Sequence, residues 1–191
     1  MQVLVIGAHP DDELLGCAAT MHKLARCGHT VRFERLWPGR GASGDNAMDA
    51  KPLIETVKRI EALLEEFPAE RIYTHSAADL NVDHVVVHRA VVTATRPCGT
   101  PVSEIYCFEI ASSTEWNFGG RQFCPNVFEA VTREDMEYKI AELHRLYSAE
   151  MRSFPHPRSP EYIQACATRW AAVIGVAPFA EAFELIRSVR A

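Results

Sequence analysis

Short apolar runs alternate with stretches of helical periodicity over the first 110 residues. Val3-Leu4-Val5-Ile6 is a continuous apolar run that stops at Gly7-Ala8, as a strand buried on both faces does inside a parallel sheet. Over 14–27, Leu14, Cys17, Ala18, Met21, Leu24 and Ala25 fall on one helical face, and Gly28 supplies the stop. Further strands are predicted over 30–36, 71–74 and 104–110, with helices over 50–67 and 85–95. Asp79 or Asp83 is the candidate cap of the second helix, and Pro97 ends it. Between them, 37–46 holds three glycines and a proline and reads as a loop.

Beyond residue 110 the order changes. The stretch 112–125 is a polar and aromatic connection, and 127–131 reads as one more strand. Helices follow over 134–151 and 160–174, the latter with Ser159 as N-cap and Pro160 as its first residue. The piece 181–190 suits either a helix or a terminal strand. Alternation of strand and helix predicts an α/β fold with a right-handed, mostly parallel sheet flanked by helices, in a single domain over 1–191.

Composition narrows the function. Twenty basic and twenty-five acidic residues give a formal charge of −5, with no basic run, which argues against a nucleic-acid partner or an anionic membrane surface. No window approaches the ~18 uninterrupted apolar residues of a membrane span. The cysteines at 17, 27, 98, 107, 124 and 166 form no C-x-x-C pair and read as reduced core thiols, so a cytoplasmic location is expected. A chain of 191 residues buries enough surface to fold without a metal staple, so a metal here would serve chemistry.

Two polar clusters fall at strand ends, where open α/β sheets bind ligands. His9, Asp11, Asp12 and Glu13 follow the first strand; His75, Asp79, Asn81, Asp83 and His84 follow the third. Four ionisable side chains within five residues are costly to desolvate unless a divalent cation compensates them. Zinc takes imidazole nitrogen and carboxylate oxygen and, in catalytic sites, leaves a fourth position open. His9, Asp12 and His84 are the expected ligands. Asp11, adjacent but free, suits a general base for acyl hydrolysis. An alternative stays open, in which the acidic residues cap the helix that follows. His84 and His88 stand at the spacing of a zincin pair, but Val85 replaces the glutamate that motif needs, and His88 reads as a packing residue. No G-x-G-x-x-G follows the first strand, which leaves dinucleotide binding without its fingerprint.

At His9-Pro10-Asp11-Asp12-Glu13 and Asn81-Val82-Asp83-His84 the sequence resembles the LmbE-like/PIG-L family of zinc-dependent deacetylases. The resemblance extends through 109–116, 147–150, 155–159 and 180–185. It implies a Rossmann-like three-layer sandwich and one Zn²⁺ per chain, or another divalent transition metal, held by His9, Asp12 and His84. It further implies Asp11 as the base and a small-molecule N-acetyl sugar or glycoconjugate as substrate. The family's second motif commonly reads H-x-D-H, its first histidine stabilising the oxyanion. Asn81 stands there, an amide that donates a hydrogen bond but carries no charge.

His156 and Arg158, in the rigid Pro155-His-Pro-Arg segment, are candidates for that missing function, or they merely separate two helices; His75 ranks below them. Arg40, between two glycines, resembles the arginine that family members carry near the substrate. Trp116, Asn117 and Phe118 would stack on a sugar ring or pack the sheet edge. Glu13 and Asp83 are read as orienters of the imidazoles. Besides a deacetylase, a metal-dependent sugar-binding protein without turnover, or an amidase for larger acyl groups, fits the same residues. Oligomeric state is not legible, and a homo-oligomer stays open.

Overall fold

The structure is a computed structural model that describes residues 1–36, 47–97, 99–175 and 178–190. Its elements in chain order are β1 (Gln2–Gly7), α1 (Asp12–Arg26), β2 (Thr30–Arg35), α2 (Leu53–Glu66), β3 (Arg71–His75), α3 (Val82–Ala94), β4 (Glu104–Phe108), β5 (Val127–Val131), α4 (Arg133–Tyr147), α5 (Pro160–Ile174) and β6 (Phe179–Ser188). Short 3₁₀ turns stand at Met48–Ala50 and Thr114–Trp116. The six strands form one sheet in the order β2-β1-β3-β4-β6-β5. β2, β1, β3 and β4 run parallel, while β6 is antiparallel to both β4 and β5.

Alternation along β1 divides the core. Val3 and Val5 pack with Leu14 and Leu15 of α1, Met136 and Leu143 of α4 and Ile163 of α5. Leu4 and Ile6 point the other way, into Val57 and Ile60 of α2 and Val87 and Val91 of α3. The sheet is therefore covered on both faces, and this is why its central strand reads as an unbroken apolar run. No helix among the described residues is long and apolar enough to cross a membrane.

Several expectations need correction. The N-cap of α3 is Asn81, whose side chain accepts from the Asp83 amide, and not Asp79 or Asp83. Helix α4 stops at Tyr147. Met151, expected as its last residue, still packs on the same core, so its apolar spacing reflects burial and not helix. The segment from 179 is a strand. Its pattern is blurred because Glu181 and Glu184 are buried in it, at 6% and 4% exposure. Cys17 and Cys107 are core thiols, whereas Cys27 and Cys124 are exposed and Cys166 is half-buried.

Candidate metal centre

Strand β1 has β2 on one side and β3 on the other, so the chain reverses direction across the sheet between β1 and β3, and a crevice opens at their carboxyl ends. His9 follows β1, Asp12 opens α1, and His84 lies in the first turn of α3. A carboxylate oxygen of Asp12 and one ring nitrogen each of His9 and His84 lie within 4.8 Å of one another. His84 Nε2 is 3.2 Å from His9 Nδ1 and 3.4 Å from Asp12 Oδ1. The turn that joins His9 to Asp12 is closed by the His9 amide, which donates to Asp12 Oδ2 at 2.6 Å.

A carboxylate stands behind each imidazole. His9 Nε2–H donates to Asp83 Oδ2 at 2.9 Å, and the other oxygen of Asp83 accepts from the Met48 amide at 2.8 Å. His84 Nδ1 lies 3.1 Å from Asp79 Oδ1. Asp79 is held in turn by the Ser113 hydroxyl, by the Thr114 hydroxyl at 2.7 Å and by the Asn81 amide at 2.8 Å. With those ring nitrogens committed to carboxylates, His9 Nδ1 and His84 Nε2 turn lone pairs toward each other and toward Asp12. Three acceptors at this range require a positive charge among them, either a proton or a metal ion.

The electrostatics agree. Burial opposes charge on Asp12, but His75 and His84 outweigh it and hold its carboxyl well below the usual range. Burial also opposes charge on His84, yet Asp12 and Asp79 raise it to about 10, so a proton occupies this place in the metal-free chain. At Asp79 burial is overcome by His84 and Ser113, and the carboxyl is lowered. The donor set of two imidazoles and one carboxylate therefore fits zinc, whose binding would displace that proton.

Asp11 is set apart from this group. Its φ of 90° is left-handed, a strained conformation for a residue other than glycine. Its carbonyl accepts from the amides of Leu14 and Leu15, but its side chain makes no cap. The capping alternative is therefore not what Asp11 does: its Oδ2 accepts from Arg158 at 2.9 Å. Burial, reinforced by Asp12, pushes this carboxyl up to about 8 against the pull of Arg158. Arg158 also donates to Ser112 Oγ at 2.8 Å and Glu150 at 2.9 Å. Its own amide donates to His156 Nδ1 at 3.0 Å, and the His156 ring meets Trp116 edge-on at 5.8 Å.

The structure thus brings His9, Asp12 and His84 together, sets Asp11 against Arg158, and places His156 edge-on to Trp116. Asn81 is near through its cap, where its side-chain oxygen accepts from the Asp83 amide at 2.9 Å. Arg40 and the loop over 37–46 lie outside the described residues. Asn117 ties its turn to the Ala78 carbonyl at 2.9 Å. Phe118 is exposed. Glu13 accepts from the Tyr147 hydroxyl at 3.1 Å, and among the described residues its hydrogen-bond partner is this phenol and not an imidazole, which corrects its reading as an orienter. The orienter of His84 is Asp79, which the sequence placed in the second polar cluster and offered as a possible cap but not as an orienter.

His75 is more central than a strand-end histidine suggests. Fully buried, it accepts from the Ala8 amide at 3.0 Å and stacks on His84 with ring centroids 3.9 Å apart. Burial and the neighbouring His84 lower it to about 4. His88 Nδ1–H donates to the His75 carbonyl at 2.9 Å, as a packing residue would.

The family model described as GlcNAc-PI de-N-acetylase, PIG-L, matches residues 4–59, the stretch that carries the first motif. Over that stretch the chain is similar to the PIG-L (LmbE-like) family. It is 27% identical over 174 residues to the uncharacterized deacetylase YaiS of Escherichia coli K12, covering 75% of this chain and 89% of that protein. Among solved structures it is similar to the N,N'-diacetylchitobiose deacetylase of Pyrococcus horikoshii, with a TM-score of 0.69 and 14% identity over 97% of this chain and 84% of that one. It is also similar to the 4-carboxy-2-hydroxymuconate hydratase GalB of a Pseudomonas putida strain, KT2440, with a TM-score of 0.70 and 17% identity over 100% and 98%. These likenesses establish the fold that the chain shares with those structures, a mixed α/β sheet flanked by helices. Because a hydratase shares it, the chemistry has to be argued from the site.

Proposed function

We propose that this chain is a zinc-dependent hydrolase that removes the N-acetyl group from an N-acetylated amino sugar or a sugar-containing small molecule, with residues 1–191 acting as one domain. The observation that carries this reading is the convergence of His9 Nδ1, His84 Nε2 and Asp12, each imidazole backed by a carboxylate, next to an Asp11 that is not part of the donor set. His9, Asp12 and His84 would hold the ion. When bound, zinc lowers the pKa of water to about 7 and polarises a carbonyl oxygen.

This chain's own residues supply the proton transfers. Asp11 takes a proton from the water that attacks the acetamide carbon and returns it to the nitrogen as the C–N bond breaks, so acetate and a free amine leave. Arg158 holds the Asp11 carboxyl in place at 2.9 Å and favours its charged form. Asn81 has its oxygen committed to the cap of α3, which leaves its Nδ2 to donate to the developing oxyanion. His156 accepts through Nδ1, so its neutral ring carries the proton on Nε2 and is a second donor. Trp116, 39% exposed, offers a ring face to a sugar, and Arg40 and Arg158 are the proposed polar contacts to substrate.

Acetate release from N-acetylglucosamine and its glycosides, measured on the zinc-loaded and chelated chain, tests the proposal. Chelation is expected to abolish release. Asp11→Asn should retain zinc and lose roughly 10²–10⁴-fold in turnover. Release that survives both chelation and His84→Ala would refute the metal assignment. The neutral Asn81 favours a second reading, binding without turnover; a chain that holds zinc and the sugar but frees no acetate would select it. Release of bulkier acyl groups in preference to acetyl would select an amidase.

A further inference from the structure

We infer that Lys139 and Glu181, which touch none of the proposed ligands, are positioning residues for the metal centre. They splice α1 across a break at Cys17 and so set the direction of the single turn that carries Asp11 and Asp12. The inference rests on the metal reading given above.

Cys17 has φ −149° and ψ 25°, far from helical values, so α1 is two helical pieces joined at this residue. In an unbroken helix the amides of Ala19 and Thr20 would donate to the carbonyls of Leu15 and Gly16. Glu181, from β6, takes both amides instead, with Oε1 3.4 Å from Ala19 N and Oε2 2.7 Å from Thr20 N. Lys139, from α4, donates to the Leu15 carbonyl at 2.8 Å and to Glu181 Oε1 at 2.7 Å. The carboxylate thus meets the amide end of the second piece, and the ammonium meets the carbonyl end of the first. Each charge sits where the helix dipole favours it. Both side chains are 6% exposed.

The first piece cannot choose its own direction. A Cβ at Gly16 would stand 2.5 Å from Phe108 Cδ2, so the turn is pressed against that ring. Phe108 in turn packs edge-on to His75, the residue stacked on His84. A straight helix would carry Asp11 and Asp12 along the axis of residues 18–26. The spliced one leaves them on the wall that also bears His75 and His84. A buried ion pair is a weak source of stability, because apolar residues of similar size often serve as well. Its placement in a broken ladder one turn from the donors points to geometry.

The double variant Lys139→Met/Glu181→Leu separates the two roles. Removing both charges together leaves no unpaired buried ion, but the Leu15 carbonyl and the Ala19 and Thr20 amides lose their partners, so the thermal midpoint should fall while unfolding stays a single transition. Zinc affinity, read by competition with a chromophoric chelator, should fall by about 10-fold or more. Amide exchange gives a readout that needs no metal. Leu14 and Leu15, whose amides donate to the Asp11 carbonyl, should lose protection while residues 21–26 keep theirs. Where the double variant does not fold, Glu181→Gln carries the test. It keeps a hydrogen-bond acceptor but loses the charge, and severalfold weaker zinc binding is expected. A folded variant with wild-type zinc affinity and wild-type protection at Leu14 and Leu15 overturns the inference. If the wild-type chain binds no zinc, the function proposed above fails, and exchange at Leu14 and Leu15 still decides the positioning role.

Discussion

Asp83→Asn exchanges one oxygen for an NH₂ group of the same size at a position where both oxygens are in use. Oδ2 accepts from His9 Nε2 at 2.9 Å and Oδ1 from the Met48 amide at 2.8 Å, in a side chain with no exposure. The carboxamide can serve only one of them. If its oxygen stays on Met48, its NH₂ faces His9 Nε2, and the ring must move its proton to Nδ1, the nitrogen that turns toward His84 and Asp12. Loss of the oriented tautomer costs about 10–100-fold in metal affinity, or roughly 1.4–2.8 kcal/mol. If the amide flips instead, two donors meet at Met48 and a buried hydrogen bond is lost, at about 1–3 kcal/mol. The first route raises the zinc Kd about 10–100-fold with the fold intact; the second keeps the His9 tautomer and lowers the denaturation midpoint instead. Chelator competition measures the affinity and circular dichroism the fold. A folded Asp83→Asn chain with both wild-type zinc affinity and a wild-type denaturation midpoint would refute the roles assigned to Asp83 and His9 Nδ1.

Three further outcomes follow from the same geometry. Burial raises the Glu13 carboxyl from 4.5 to about 7, so the folded metal-free chain keeps a proton there that the unfolded chain releases. Its contribution is therefore full below about 4.5 and is lost as pH rises through 7, and Glu13→Gln should gain up to about 3 kcal/mol relative to wild type across that window. Urea unfolding at both ends of the window checks this, and a constant difference between the two chains would contradict it. Gly16→Ala drives a Cβ to 2.5 Å from Phe108 and should cost about 1–3 kcal/mol, read from a lowered denaturation midpoint. His84→Ala should lose zinc, whereas His88→Ala, whose ring is spent on the His75 carbonyl, should retain it by elemental analysis.

Much of the architecture was legible because it is encoded locally. An apolar run buried on both faces, a capping serine before Pro160 and glycine after a helical stripe each act within a few residues of themselves. The His9-Pro-Asp-Asp turn is equally local, closed by a hydrogen bond three residues long. His84 was accessible too, since the parallel alternation placed the end of β3 beside that of β1. Strand β6 was not, because its buried glutamates are tolerated only by partners distant in sequence: Lys139 for Glu181, and Ser76 and Arg121 for Glu184.

Sequence alone therefore settled which donor types stand at which strand ends, since short-range sterics and periodicity decide where a strand stops. Tertiary structure decided what those side chains face. It matched Asp83 to His9 and Asp79 to His84, brought Arg158 to Asp11 from 147 residues away, and broke α1 around an ion pair from α4 and β6. Such pairings are set by the cost of leaving a buried charge or backbone group unpartnered, and that cost is defined only once the distant segments have packed.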